Sequence, residues 1–364
     1  MRIGAGMIGL THPHSAGHLR TLDALEQIGD VVLYDPDPTA RAAGPEMSRK
    51  VRAVDADLRA LLARPDVSVV VIALPNDQAC GAIVEAARAG KHIICEKPCG
   101  RSGAEFRPAA DAIARHGVGF TVCYVWRAHP AVQRMRELVQ MGAVGRLVSA
   151  ELRMVTSQVG FRDPRHWLFK RAAAGGGIFS WLGCHWLDAL RYIAGQEVRA
   201  ASAMVGNVGG EAIDVEDVGI AGLRLSGGAL ASLYAGYLLP FGRPGYEGAT
   251  FDYGMIFRGE AGTVDYRRSG DEHHVTLRRA ASGRPNPERG SAALEEVDRY
   301  VLAPEPVYGG VPGLRFVETF LRGIDDGSRA SFASADDALQ VLTILDAIYL
   351  SAQTGKAVEL AGSD

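Results

Sequence analysis

The first third of the chain alternates short apolar runs with stretches of helical periodicity, the pattern of a parallel sheet built from β-α-β units. Expected strands are Arg2 to Ile8, Val31 to Tyr34, Val67 to Leu74, His92 to Cys95 and Val118 to Tyr124. Between them, Ser15 to Gln27 and Gln78 to Ala89 repeat apolar residues at helical intervals. Gly29 and Gly90 stand where those helices should end.

After about residue 125 the expected strands are longer, follow one another directly and are joined by hairpin signals such as Ser226-Gly227-Gly228. They are Arg146 to Thr156, Val198 to Val208, Val218 to Leu225, Ala229 to Leu238, Thr250 to Arg258 and Gly262 to Arg268, which suits a large, mostly antiparallel open sheet. Helices at about His129 to Met141, Ile178 to Ala194, Leu314 to Ile324 and Ala335 to Ala352 are expected to cover one face. The other face needs a partner, so a homodimer or homotetramer through this sheet is expected. The Pro-, Gly-, Ser- and Arg-rich stretch Ala281 to Gly290 reads as a mobile surface loop.

With 364 residues, 47% hydrophobic and 22% charged, the chain has core enough for two domains and is neither disordered nor fibrous in composition. A net charge of -3 without a basic run gives nucleic acid no footprint. The apolar N-terminus is cut short by His12, Pro13 and His14, and no apolar run of about 18 residues follows. A cytoplasmic protein without membrane contact is therefore expected. Cys80, Cys95, Cys99, Cys123 and Cys184 lack the paired spacings of a zinc site or disulfide framework, so they are expected as small buried hydrophobes and no metal site is expected.

Gly4-Ala5-Gly6-Met7-Ile8-Gly9 satisfies G-x-G-x-x-G literally, but it lies inside the first expected strand. The strand-to-helix turn is expected instead at Gly9-Leu10-Thr11-His12-Pro13-His14, where Thr11 and His14 replace the second and third glycines. One glycine still makes a tight turn, and the helix N-terminus still presents N–H groups to a pyrophosphate. Asp35 ends the second strand, 26 positions after Gly9, where a carboxylate accepts hydrogen bonds from the adenosine ribose. A carboxylate there repels a 2′-phosphate, which favours NAD over NADP.

The segment Ala89-Gly90-Lys91-His92-Ile93-Ile94-Cys95-Glu96-Lys97-Pro98 follows a strand ending Ala73-Leu74-Pro75-Asn76 and then a helix. In that order and at those intervals it resembles the Gfo/Idh/MocA family, named for glucose-fructose oxidoreductase and inositol dehydrogenase. The resemblance continues through Tyr124 to Pro130, Gly142 to Arg146, Gly175 to Asp188, Gly259 to Thr263 and Ser351 to Lys356. It implies that Leu74, Pro75, Asn76, Glu96, Lys97 and Pro98 border the cofactor, that Lys97 sits beside the nicotinamide and that Pro98 follows a cis peptide bond. Alcohol oxidation separately demands a group that handles the hydroxyl proton, and a lysine in a cleft suits that task.

Gly175-Gly176-Gly177 precedes a helical stretch in which Trp181, His185 and Asp188 are spaced to share one face, opposite an apolar stripe of Phe179, Leu182, Trp186, Leu190 and Ile193. The glycines are expected to let backbone approach a ligand closely. The resemblance makes His185 the catalytic histidine, a base that titrates near neutrality. Inositol dehydrogenase and many relatives carry an aspartate four residues before that histidine, whereas this chain carries Trp181, an indole face for a sugar ring or a core side chain. Ala79 stands where the family commonly has a second histidine. Asp188 is a candidate support for the imidazole, and Arg127, His129, His166 and Trp167 are further pocket candidates.

The sequence therefore reads as an N-terminal dinucleotide-binding domain over 1–125 and an α+β substrate-binding and oligomerisation domain over 126–364. Together they suit NAD-dependent oxidation of a secondary hydroxyl on a sugar, polyol or inositol. An NAD-dependent glycosidase and a non-catalytic NAD/sugar sensor are the alternatives.

Overall fold

The computed structural model describes residues 2–281, 292–328 and 330–361, so the expected loop at 281–290 lies almost wholly outside the described residues. The chain divides into two compact units: Met1–Ala128 with Arg171–Gly175 and Ala303–Leu342, and His129–Lys170 with Gly176–Leu302 and Thr343–Asp364.

The first unit is built on six parallel strands, β1 (Ile3–Ile8), β2 (Ile28–Tyr34), β3 (Val51–Val54), β4 (Val69–Ile72), β5 (His92–Cys95) and β6 (Phe120–Val122). They lie in the order β3-β2-β1-β4-β5-β6, every pair parallel. That is the doubly wound order whose reversal, beside β1, opens a crevice at the carboxyl ends of the strands. Val69 to Ile72 and Ile93 to Cys95 are buried, as a central parallel strand covered on both faces requires. The intervening helices are α1 (Ser15–Ala24), α2 (Pro38–Ala43), α3 (Leu58–Ala63), α4 (Asn76–Arg88) and α5 (Gly103–His116).

Two features of this unit differ from expectation. β3, α2, α3 and α5 add to the expected elements: the first three are short, and α5 carries Pro108, a helix-breaking signal, in its interior. Gly29 does not end a helix, since α1 stops at Ala24 and Gly29 sits inside β2. The literal G-x-G-x-x-G does begin inside strand β1, as expected. Gly90 also holds its expected place, with a φ of 72° just beyond α4.

In the remaining chain come α6 (Pro130–Gln140), α7 (Arg171–Ala174), α8 (Cys184–Ala194), α9 (Gly310–Asp325) and α10 (Ala335–Thr354). The strands are β7 (Leu147–Ser157), β8 (Val198–Gly206), β9 (Val218–Leu225), β10 (Leu230–Leu239), β11 (Phe251–Gly259), β12 (Gly262–Ser269), β13 (Glu272–Ala280), β14 (Ala293–Val301) and β15 (Val358–Glu359). These nine form one sheet, β14-β13-β12-β11-β7-β10-β9-β8-β15. All pairs are antiparallel except β10 with β7. The fold is thus α/β, a Rossmann-type parallel sheet plus an α+β part on a large, mostly antiparallel sheet. β13 and β14 were not expected, because their many charged and exposed positions hide the alternation of a strand. No described helix is long and apolar enough to cross a membrane.

Candidate active site

In the first unit the expected cofactor residues collect at the carboxyl edge of the parallel sheet. Gly9 leaves β1 with a φ of 98°, and a Cβ there would stand 2.2 Å from the Ala73 carbonyl oxygen, so only glycine turns the chain this close to the end of β4. Ser15 Oγ donates to the Gly9 carbonyl at 2.9 Å, fastening the start of α1 to the turn. Asp35, at the end of β2, accepts from Leu10 N at 2.5 Å and Asp37 N at 2.7 Å and is only 1% exposed. It therefore braces the turn itself, while an ionised carboxylate retains lone pairs for further donors. The close glycine turn and the carboxylate beside it fit a dinucleotide.

Thr11 is exposed, and His12 Nδ1 accepts from His14 N at 3.1 Å, so the stretch standing in for the later glycines closes a local turn of its own. Beyond it, His14 Nδ1 lies 2.9 Å and His18 Nε2 2.6 Å from Oε1 of Glu96, while Lys97 N donates to Oε2 at 3.2 Å. Burial alone would raise the Glu96 carboxyl, but His14, with His18 and His12 beside it, holds it well below the ordinary range. Burial also lowers His12 and His14, against the pull of Glu96. Lys97 is 0% exposed and follows the carboxylate directly, and its charge adds to the depression of both histidines. The Lys97–Pro98 bond is cis, as expected.

Leu74, Pro75 and Asn76 lead from β4 into α4, where Asn76 Nδ2 donates to the Ala174 carbonyl at 2.8 Å. Two groups, His12 with His14 and Glu96, and His18 with Glu96 and Cys123, bring potential ligand atoms within 4.8 Å of one another, although no metal site was expected. The ring-to-carboxylate separations are those of hydrogen bonds. His18 escaped the sequence reading, although it lies four residues after His14 and so shares its face of α1. Tyr308, also missed, packs its ring on His14 and His18 at 4.9 and 4.1 Å. All five cysteines are free and buried.

The glycine run behaves differently from the expectation of ligand approach. A Cβ at Gly175 would meet Arg101, one at Gly176 the Tyr349 hydroxyl at 1.9 Å, and one at Gly177 the Glu216 carbonyl at 2.0 Å. The glycines make room for the protein's own packing. The following segment, Phe179–Gly183, is a π-helical turn that runs into α8. Trp181, His185 and Asp188 are all buried, and α8 is buried almost all round, so the expected stripe with an open polar face is replaced by a helix enclosed on every side. A π turn of this kind is a frequent mark of a functional site.

Trp181 meets the ring of Tyr246 edge-on at 5.8 Å, and His166 approaches the same ring at 6.0 Å. His166 also caps the short turn Trp167–Phe169, its Nδ1 accepting from Leu168 N at 3.3 Å. Arg127 and His129 have partners of their own. Arg127 forms a two-pronged pair with Asp337 at 2.8 and 3.0 Å, and His129 caps α6 with its ring 4.5 Å from His273. Burial pushes the His129 imidazole down to about 3, with the charges of His273 and Arg268 adding to the effect. Tyr246 was not anticipated, because a lone tyrosine in the loop after β10 carries no periodic signal.

Two family models match the chain. One, described as an oxidoreductase family with an NAD-binding Rossmann fold, covers residues 2–124, and the other, the GFO/IDH/MocA C-terminal domain, covers 132–265. A levoglucosan dehydrogenase from Pseudarthrobacter phenanthrenivorans is 33% identical over 204 residues, 49% of this chain and 52% of that protein. An inositol 2-dehydrogenase from Rhizobium meliloti is 29% identical over 60% of this chain and 62% of its own length. The chain thus spans between half and two thirds of the length of these curated relatives. Among solved structures, levoglucosan dehydrogenase in complex with NADH and L-sorbose superposes with a TM-score of 0.79 at 25% identity, over 99% of this chain and all of that one. With its parallel sheet, its Gly9 turn and both matched regions in order, the chain belongs to the Gfo/Idh/MocA family of NAD-binding oxidoreductases.

Proposed function

We propose that this protein is an NAD-dependent dehydrogenase that oxidises a secondary hydroxyl of a sugar, polyol, inositol or related small molecule. The observation that carries the reading is Lys97, a fully buried lysine two residues beyond β5, on the same sheet edge as the Gly9 turn and Asp35. A lysine withdrawn from solvent at the carboxyl edge of the sheet suits a group that exchanges a proton.

The Gly9 turn and Asp35 would hold NAD, which would supply the hydride acceptor. Lys97 holds the substrate hydroxyl and stabilises the developing alkoxide, and His185 takes the proton. Glu96 stays ionised under His14 and His18 and fixes the backbone N–H of Lys97, which keeps the lysine where β5 delivers it. Asp35 favours NAD over NADP. Trp181 offers an apolar wall to the substrate, and Asp188 supports the helix that carries His185. In this reading residues 1–125 bind the cofactor and 126–364 bind substrate and a second copy of the chain, in the cytoplasm. Met204, Ile220 and Leu230, exposed on strands of the nine-stranded sheet, are what such a homo-oligomer would cover.

The named relatives support the substrate class, since two of them act by name on levoglucosan and inositol. The test is to incubate the protein with NAD and a pooled panel of sugars, inositols and sugar acids and examine it by mass spectrometry. One member should lose two hydrogens in proportion to NADH formed. A panel hydrolysed without NADH would overturn the reading in favour of a glycosidase.

A further inference from the structure

Three arginines of the described chain are buried: Arg127, Arg162 and Arg191. Arg127 is paired with Asp337 and Arg191 with Glu197, at 2.8 and 2.6 Å. Arg162 has no carboxylate partner among the described residues, although it is only 8% exposed. Removing a charge from water costs several kcal/mol unless an opposite charge is at hand, so an unpaired buried guanidinium needs a reason.

Its surroundings compensate in part. Nη1 donates to the carbonyls of Ser157 at 2.5 Å and Gln158 at 3.0 Å, and Nη2 donates to Thr156 Oγ1 at 3.3 Å. The guanidinium also lies over the rings of Tyr237 and Tyr246, 5.2 and 5.5 Å from their centroids. Nε–H remains buried without an acceptor among the described residues, and so does the Tyr246 hydroxyl. Asp163, next in sequence, binds Arg165 instead, and Glu216 accepts through Oε1 from Tyr349 at 2.8 Å and Phe179 N at 3.2 Å, with its Oε2 buried and without a hydrogen-bond partner among the described residues. Burial accordingly lowers Arg162 and raises Tyr246.

We propose that Arg162 and Tyr246 form an anion subsite in the second unit, and that the molecule bound there is a carboxylated sugar or polyol. The two unsatisfied donors, one N–H and one O–H, match the two oxygens of one carboxylate better than the three free oxygens of a phosphate monoester. The neighbouring ring is Trp181, which meets Tyr246, so a carbohydrate placed with its carboxylate on Arg162 has an indole within the same cluster. Tyr246 itself is only partly buried. It rides on a glycine-rich loop with positive φ angles at Gly242 and Gly245, beside a surface cleft walled by residues 241–243 and 247–250. Gly245 N donates to the Phe161 carbonyl at 2.9 Å, which holds this loop over Arg162.

The inference rests on the dehydrogenase reading for its substrate class but not for its binding chemistry, so binding and turnover are measured separately. Calorimetry on the full chain with NAD compares galacturonate with galactose and gluconate with sorbitol, and NADH formation is followed on the same pairs. The acid of at least one pair should bind ten-fold or more tightly than its neutral partner. Arg162→Gln should erase that preference, a loss of roughly 10- to 100-fold for the acid, as a charge-assisted hydrogen bond implies. Tyr246→Phe removes only a hydroxyl and should weaken the acid several-fold with an unchanged melting temperature, which keeps the test independent of folding in the arginine variant. Acids bound without NADH would uphold the subsite and sink the dehydrogenase reading. NADH from neutral sugars, with no preference for either acid, would overturn the subsite and leave the dehydrogenase standing.

Discussion

His18 Nε2 lies 2.6 Å from Oε1 of Glu96, across 78 positions of sequence, and this contact joins α1 to the end of β5 inside the first unit. The same oxygen receives His14, so one buried carboxylate ties the helix that follows the Gly9 turn to the strand that delivers Lys97.

Glu96→Gln should therefore destabilise the protein by about 2 kcal/mol, the usual worth of hydrogen bonds to a buried ionised group. The carboxyl is held below its ordinary range when folded, so its contribution is present above the unfolded carboxylate value and is lost as pH falls through the folded one. Denaturant unfolding at neutral pH and in acid measures both. An unchanged midpoint at neutral pH would show that Glu96 does not anchor this cluster.

His129 supplies a second contribution that acid removes, and it has the same sign. Its folded value is about 3, so below the unfolded value near 6.5 the unfolded chain binds a proton that the folded chain refuses. Stability then falls with acid by up to about 1.4 kcal/mol per pH unit for this one group. His129→Asn retains a capping acceptor for Ala131 N, one that takes up no proton in this range, and should flatten that slope between about pH 6.5 and 4. An identical slope in the variant would assign the acid sensitivity elsewhere.

Asp35→Ser should narrow the preference for NAD over NADP and loosen the turn it braces, since both carboxylate oxygens hold backbone N–H groups. Calorimetry with each nucleotide reads the first effect and thermal unfolding the second. Equal affinities in the parent protein would remove Asp35 from the cofactor site.

Trp181→Phe should raise the Michaelis constant modestly and lower the melting temperature, because the indole is buried and meets Tyr246. A lowered melting temperature with an unchanged Michaelis constant would reduce Trp181 to core packing.

Much of this was legible in sequence because it depends on local rules. A glycine at the end of an apolar strand announced the Gly9 turn, and a carboxylate after the next strand placed Asp35. Glu96-Lys97-Pro98 drew its meaning from the strand, helix and strand before it. What stayed hidden depends on distant partners. Nothing near Gly176 says that Tyr349 fills the space its missing Cβ leaves. Arg162 looks like a surface arginine between Phe161 and Asp163 until the loop bearing Tyr246 closes over it. The strands β13 and β14 hid behind charged, exposed positions, and the enclosure of α8 was masked by its polar His185, Asp188 and Arg191.

Lys97→Ala should lower turnover by about 10² to 10⁴, the usual worth of a positioned acid or base, while NAD affinity changes only a few-fold. Full activity in that variant would mean that another group handles the proton.

The most direct measurement follows the hydride itself. Sugars, polyols, inositols and sugar acids deuterated at their carbinol carbons are offered with NAD, and the reduced nicotinamide is examined for label. Deuterium carried into NADH by at least one of them, and lost with Lys97→Ala, is the predicted result. NAD bound normally but never labelled by any member of the panel would contradict the assignment as a dehydrogenase of carbinol substrates.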